Sequence, residues 1–218
     1  LDRDVVALMQ QQLCGCSVPI DTKAKSVEVL MILSQQEPGK ARLRELPSLM
    51  SELVIAIRTH YHMGRDESAS QRIVAHGALV LANAASGSPE TKRLVYSVGA
   101  VSVLIRAMGH YLGGVKHGCL AALTALAAHP DIAEAIADRH SSIRMMLDQL
   151  SADVSIDDKD WRVAMQAMRL IERLAYVPDV KTALLEAGVM VSLVRLRGKS
   201  ATMPAVRHMA IGLLERFA

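Results

Sequence analysis

The strongest constraint on the fold is an internal repeat with a period of about 42 residues. Three stretches begin with a proline and an acidic residue and continue as an apolar helical pattern. They start at Pro89-Glu90, Pro130-Asp131 and Pro178-Asp179, and a weaker copy starts at Pro38. Such self-similarity is the sequence signature of a solenoid, in which each repeat contacts only its neighbours.

Each unit contains three predicted helices, because two further apolar segments accompany every proline segment. The segments that follow the proline helices cover residues 48–57, 101–108, 142–150 and 189–196. Those that precede the prolines cover residues 23–34, 70–86, 115–127 and 161–175, with 205–218 as one more copy and 1–13 as a preceding helix. A recurring apolar pair spaced by three residues marks one helix face. It appears as Leu30/Leu33, Leu81/Ala84, Leu123/Leu126 and Ile171/Leu174.

The residues at the unit boundaries have local reasons to stand there. Proline suits the first turn of a helix, where its missing N–H would be unpaired. The acidic residue beside it suits the positive end of the helix dipole. Gly99 and Gly188 fit a left-handed stop between two helices. His140 occupies the equivalent position in the third copy, so we expect a distorted turn there.

These features together resemble the armadillo repeat. The resemblance covers nearly the whole chain and is carried by Gly99-Ala100-Val101-Ser102-Val103-Leu104-Ile105, by residues 186–194 and by Ala82-Asn83-Ala84-Ala85-Ser86. It implies an all-α, right-handed α-solenoid of about four three-helix repeats. We expect a single domain over 1–218, with units at 1–34, 35–86, 87–127, 128–175 and 176–218. HEAT repeats, which have two helices per unit, are the alternative fold, and the glycine between the two short helices favours armadillo.

The resemblance also implies a concave groove lined by the third helices. Peptide-binding armadillo proteins such as importin alpha carry an Asn near the end of the third helix and a Trp four residues before it. Here the Asn positions hold Ile32, Asn83, Ala125, Arg173 and Arg216, and the Trp positions hold Glu28, Leu79, Ala121, Arg169 and Gly212. Only Asn83 matches, so the sequence disfavours a nuclear-import receptor.

A cationic set stands in the C-terminal half of this groove instead. Arg169 and Arg173 are one helical turn apart, Arg216 follows one unit later, and His208 lies two turns before Arg216. Arginine pairs well with carboxylates and phosphates. We therefore expect an acidic or phosphorylated segment to dock there, as acidic ligands do in beta-catenin-like grooves. The alternative is that these arginines are solvated or pair with neighbouring glutamates, Glu172 and Glu215.

Two insertions, 59–70 and 151–160, lengthen the units between their second and third helices. Insertions in repeat proteins often mark a binding face. The second carries Asp153, Asp157, Asp158 and Asp160 against Lys159. It fits contact with a basic partner, but such a run is more often a solvated loop, in which Asp160 caps the next helix.

No catalytic, cofactor or metal site is predicted. Cys14-Gly15-Cys16 lacks the CxxC spacing. His60-Tyr61-His62 would point its imidazoles in different directions on a helix. Gly198-Lys199-Ser200 resembles the end of a phosphate loop, but Leu193 stands where the first glycine should be.

Composition narrows the location and the partner class. The net charge of +3 is too small for a dedicated nucleic-acid binder. Three cysteines are too few for a disulfide framework and favour a reducing compartment, with the cytoplasm expected and the nucleus as the alternative. The longest uncharged run, 73–89, contains polar residues and glycines, so no membrane span is expected.

The sequence therefore predicts a non-enzymatic scaffold or adaptor that binds a protein segment along the groove. The expected groove residues are Asn83, Arg169, Arg173, His208 and Arg216. The alternative is a regulatory armadillo segment of a multidomain enzyme, or of a regulator of a small GTPase or motor. The last helix ends at Phe217-Ala218 without Gly, Pro or a charged stop. We therefore expect a piece of a longer chain, able to self-associate through an uncapped end.

Overall fold

The computed structural model describes residues 3–61, 68–110, 113–138, 140–151, 160–199 and 203–218. Every regular element in these ranges is an α-helix. In chain order they are α1 (Arg3–Cys14), α2 (Ile20–Leu33), α3 (Glu37–Arg44), α4 (Pro47–Tyr61), α5 (Ser68–Ala85), α6 (Pro89–Ser97), α7 (Ala100–His110), α8 (Gly114–Leu126), α9 (Pro130–Ala137), α10 (His140–Ser151), α11 (Asp160–Leu174), α12 (Pro178–Glu186), α13 (Val189–Lys199) and α14 (Pro204–Phe217).

The helices group as the repeat predicts. After the pair α1–α2 come four sets of three: α3–α5, α6–α8, α9–α11 and α12–α14. The chain divides into two compact units, Leu1–Leu126 and Ala127–Ala218, and the division falls between two successive repeats. The expectation of a single domain over 1–218 stays a prediction.

In the Leu1–Leu126 unit, the third helices form the central layer. Helix α5 packs between α2 and α8, and α4 and α7 cover α5 and α8 respectively. The side chains at this centre are fully buried, among them Leu30, Leu53, Ile57, Leu81, Leu104 and Leu123. Burying large aliphatic side chains is the main favourable term in such a fold.

The Ala127–Ala218 unit repeats the same arrangement. Helix α11 packs against α14, α10 lies against α11 and α13, and α13 packs on α14. Its core contains Ile136, Met146, Met168, Ile171, Leu184 and Leu193, none of them exposed.

The helix boundaries confirm most of the local rules. Pro89, Pro130 and Pro178 are the first residues of α6, α9 and α12. Gly99 and Gly188 have φ of 83° and 87°, in the left-handed region that glycine adopts without strain. The third copy differs, because α9 ends at Ala137, its C-cap residue Asp138 has a right-handed φ of −57°, and α10 begins at His140. Residue 139, between them, lies outside the described residues.

Candidate functional site

The exposed side of α11 carries three arginines, Arg162, Arg169 and Arg173. We call it the α11 arginine face. The opposite side of the helix is made of buried residues such as Ala167 and Ile171. The spacing of the arginines by seven and four residues keeps them on one side of a helix. Helical periodicity alone therefore places Arg162 on the same side of α11 as Arg169 and Arg173, the two arginines at the predicted groove positions.

Two members of this face keep most of their hydrogen-bonding capacity. Arg169 donates from Nη1 to Oε1 of Gln166, 3.2 Å away on the same helix. The guanidinium of Arg173 makes no hydrogen bond or ion pair with the part of the chain that the structure describes. A guanidinium has five N–H donors, so both side chains can bind an external oxyanion without breaking a contact to another helix.

Arg216 is engaged differently from Arg173, its equivalent one repeat earlier. Its Nη2 lies 3.3 Å from Oε1 of Glu172, and its Cζ lies 4.8 Å from the ring centroid of Tyr176. A hydrogen bond with the Tyr176 side chain, followed by smaller charge interactions with Tyr176 and then Glu172, raises the pKa of Arg216 above its usual value. The pairing with Glu172 is one of the alternatives that the sequence left open. Arg216 therefore ties α14 to the end of α11.

His208 lies exposed on α14, one turn before Gly212. A Cβ added at Gly212 would meet no heavy atom within 4 Å, so the surface beside His208 is open. Tyr176, with 64% of its surface exposed, adds an aromatic ring next to Arg216. The predicted groove residues lie only within the third helices, so Tyr176, which follows the end of α11, was not among them.

Asn83 lies on α5 in the Leu1–Leu126 unit, whereas the other predicted groove residues lie in the Ala127–Ala218 unit, namely Arg169, Arg173, His208 and Arg216. Its Nδ2 donates to Oγ of Ser34 over 2.8 Å, and that hydroxyl donates to the carbonyl of Met31. Ser34 is fully buried and follows the last residue of α2. The Asn83 amide therefore joins α5 to the end of α2, a structural role that the sequence does not reveal.

The insertions contribute nothing to this description. Residues 62–67 and 152–159, which make up half of the first insertion and most of the second, lie outside the described residues, and the side chain of Asp160 does too. The expectation that the acidic insertion contacts a basic partner stays a prediction.

No metal-binding group of three or more His, Cys, Asp or Glu side chains occurs within the described ranges. None of the helices described above combines the length and apolar character needed to cross a membrane.

The thiols give a pH-dependent prediction. Burial, followed by the neighbouring Glu52 carboxylate, raises the pKa of Cys14 to about 11, and burial raises the pKa of Cys119 to about 12. Because the thiolate is the nucleophile, Cys14 should react slowly with iodoacetamide at about pH 8, and its rate should rise until the pH approaches 11. Glu52→Gln should lower the pKa of Cys14 and accelerate its alkylation at about pH 8.

Peptide mass spectrometry after short exposures measures both rates in one sample. Cys119 is the internal control, since Glu52 does not contribute to its raised pKa. Alkylation of Cys14 at an unchanged rate in Glu52→Gln would contradict the assignment of that carboxylate.

The architecture has clear counterparts among solved structures. A search with family models gives no match, and no curated protein matches the sequence. The designed armadillo repeat protein YIII(Dq)4CqI superposes with a TM-score of 0.77 at 19% identity, covering 98% of this chain and 82% of the other.

Two further armadillo repeat structures superpose on this chain over most of its length. The designed armadillo repeat protein YIII(Dq.V1)4CPAF in complex with peptide (KR)4 gives 0.77 at 20% identity, covering 99% of this chain and 81% of the other. ARO, an armadillo repeats only protein from Plasmodium falciparum, gives 0.70 at 14% identity, covering 90% and 80%. The chain therefore has the armadillo-repeat fold, an all-α solenoid of three-helix repeats.

Proposed function

We propose that the chain is a non-enzymatic scaffold that binds a segment of another protein on the α11 arginine face. The observation that carries the proposal is that the guanidinium groups of this face have few partners within the described part of the protein. The guanidinium of Arg173 has no partner among the described residues, and that of Arg169 has one contact within its own helix. Arg216, whose donors are partly used by Glu172, and the exposed His208 lie on α14, the helix that packs against α11.

The chemistry of this face favours an acidic or phosphorylated segment. Arginine forks bind carboxylates and phosphates in a bidentate manner, and the exposed ring of Tyr176 offers an apolar contact beside them. A designed armadillo repeat protein binds the basic peptide (KR)4. A repeat protein of this fold can therefore bind a peptide, and the cationic face here calls for a ligand of opposite charge. We expect this interaction in a reducing compartment, the cytoplasm or the nucleus.

The test compares Arg169→Glu/Arg173→Glu with the wild type by affinity capture from native lysate and by anisotropy of a fluorescein-labelled acidic peptide of alternating Glu and Leu. Binding should fall at least about ten-fold. Each charge-assisted hydrogen bond contributes about 1.5–3 kcal/mol, and 1.4 kcal/mol is a factor of ten. Circular dichroism should show that the helical content is unchanged, since both side chains are exposed.

The matched control is Arg106→Glu/Arg195→Glu, which makes the same change in net charge. Arg106 and Arg195 are exposed on the second helices α7 and α13. The control should keep wild-type binding. An equal loss in both variants would show that only net charge matters, and unchanged binding in Arg169→Glu/Arg173→Glu would remove the partner from this face.

A further inference from the structure

A second candidate site lies on the first and second helices of the Ala127–Ala218 unit. A cavity of about 910 Å³ opens among α9, α10, α12 and α13. We call it the acidic cavity, because carboxylates dominate its polar lining. They are Glu134, Asp138, Asp148, Asp179 and Glu186. Arg144 is the cation among the lining residues.

These carboxylates are not neutralised by the surrounding fold. All five are exposed, and none forms an ion pair within the described ranges of the chain. The whole sequence has a net charge of +3, so this local excess of negative charge opposes the overall sign. Clefts lined by charge of one sign concentrate ligands of the opposite sign.

Helix stability does not explain the position of two of these carboxylates. Asp138 is the C-cap residue of α9, and Glu186 is the last residue of α12. Negative charge is unfavourable at the carboxyl end of a helix, where the dipole is negative. Asp179, by contrast, lies in the first turn of α12 and has a stabilising role. Among the carboxylates of the acidic cavity, Asp138 and Glu186 are therefore the two whose positions suggest a role in ligand binding.

The floor of the cavity supplies a second observation. Ser192 lines the cavity and is more than nine-tenths buried, with 9% of its surface exposed. Its hydroxyl makes no hydrogen bond with the residues that the structure describes. This hydroxyl is not one of the fully enclosed side-chain atoms that lack a partner, so it borders the open cavity, where a polar group of a ligand can bond to it. Ile143, Leu147 and Val180 line the same cavity with nearly buried apolar surface.

We propose that the acidic cavity binds a basic segment of a partner protein. Lysine or arginine side chains would pair with Asp138 and Glu186. A leucine-sized side chain would cover the apolar floor, where a polar group of the segment reaches Ser192. The volume lies within the range of about 300–1,000 Å³ that is usual for ligand pockets. The cavity lies on first and second helices, so the proposal is independent of the α11 arginine face.

The test measures anisotropy of the fluorescein-labelled hexapeptide Lys-Leu-Arg-Lys-Leu-Arg with the full chain at an ionic strength of about 0.1 M. The wild type should bind it saturably, and the double variant Asp138→Asn/Glu186→Gln should bind at least about ten-fold more weakly. Neutralising a charge at the end of a helix does not weaken that helix, so this variant should unfold no earlier than the wild type. Ser192→Val should weaken binding by a smaller factor.

The control variant, Asp131→Asn/Glu215→Gln, removes two exposed carboxylates outside the cavity and should bind the peptide as the wild type does. An equal loss in the control, or no binding to the wild type, would overturn the proposal. The acidic counterpart Glu-Leu-Glu-Glu-Leu-Glu, which we expect at the α11 arginine face, should bind Asp138→Asn/Glu186→Gln as well as it binds the wild type, and an equal loss for this peptide would also overturn the proposal. Analytical ultracentrifugation tests whether a second copy of the chain, rather than a partner protein, occupies the cavity. A wild-type dimer that Asp138→Asn/Glu186→Gln converts to a monomer would assign the cavity to a second copy and also overturn it.

Discussion

Replacing Gly118 by alanine is expected to destabilise the Leu1–Leu126 unit by about 1–3 kcal/mol, the usual cost of overpacking. Gly118 is buried on α8, where this helix crosses α5. A Cβ at this position would lie 2.6 Å from the carbonyl oxygen of Ala75. That atom is backbone, so no side-chain rotation relieves the clash, and α5 is also held by α2 and α4.

The matched control is Gly212→Ala in α14, because Gly212 is also within a helix but faces open space. There alanine should stabilise the protein by about 0.5–1 kcal/mol, since glycine loses more backbone entropy than alanine on forming a helix. Urea denaturation followed by far-UV circular dichroism measures both changes. A Gly118→Ala variant as stable as wild type would mean that α5 and α8 do not approach each other as closely as the structure shows.

The contrast between these two glycines shows what the sequence could and could not predict. The helices and their starts were predictable, because proline in a first turn and glycine at a left-handed stop act through local sterics. Gly118 carries no such local signal. Its requirement comes from Ala75 on another helix, and sequence periodicity does not give the distance between two helices.

In the candidate site, too, the features set by local spacing were predictable from the sequence, and those set by contacts between helices were not. The exposure of Arg169 and Arg173 followed from helical spacing, which is a local property. The partly paired state of Arg216 did not follow from spacing, because it depends on Glu172 of α11 and on Tyr176, which follows the end of that helix. The acidic cavity was also unpredictable, since four helices contribute its lining. No single helical period connects those positions.

Leucine-to-alanine substitutions at one repeat position should have unequal costs, and this is the second large effect that we expect. Leu33, Leu126 and Leu174 occupy the same place in the apolar pair of α2, α8 and α11. Leu126 and Leu174 are 1% and 0% exposed, whereas Leu33 is half-buried. Leu126→Ala and Leu174→Ala should each cost about 2–5 kcal/mol, because each leaves a cavity in a closed core.

Leu33→Ala is the matched control, with the same atoms removed at the same repeat position. It should cost clearly less, because water already reaches part of that side chain and fills the space that the leucine leaves. Chemical denaturation of the three variants measures the difference directly. Three equal losses would contradict the structure at α2, since they would require Leu33 to be buried as deeply as its equivalents in α8 and α11. The unequal result would show that burial in each helix, rather than position in the repeat, sets the contribution of a residue to stability.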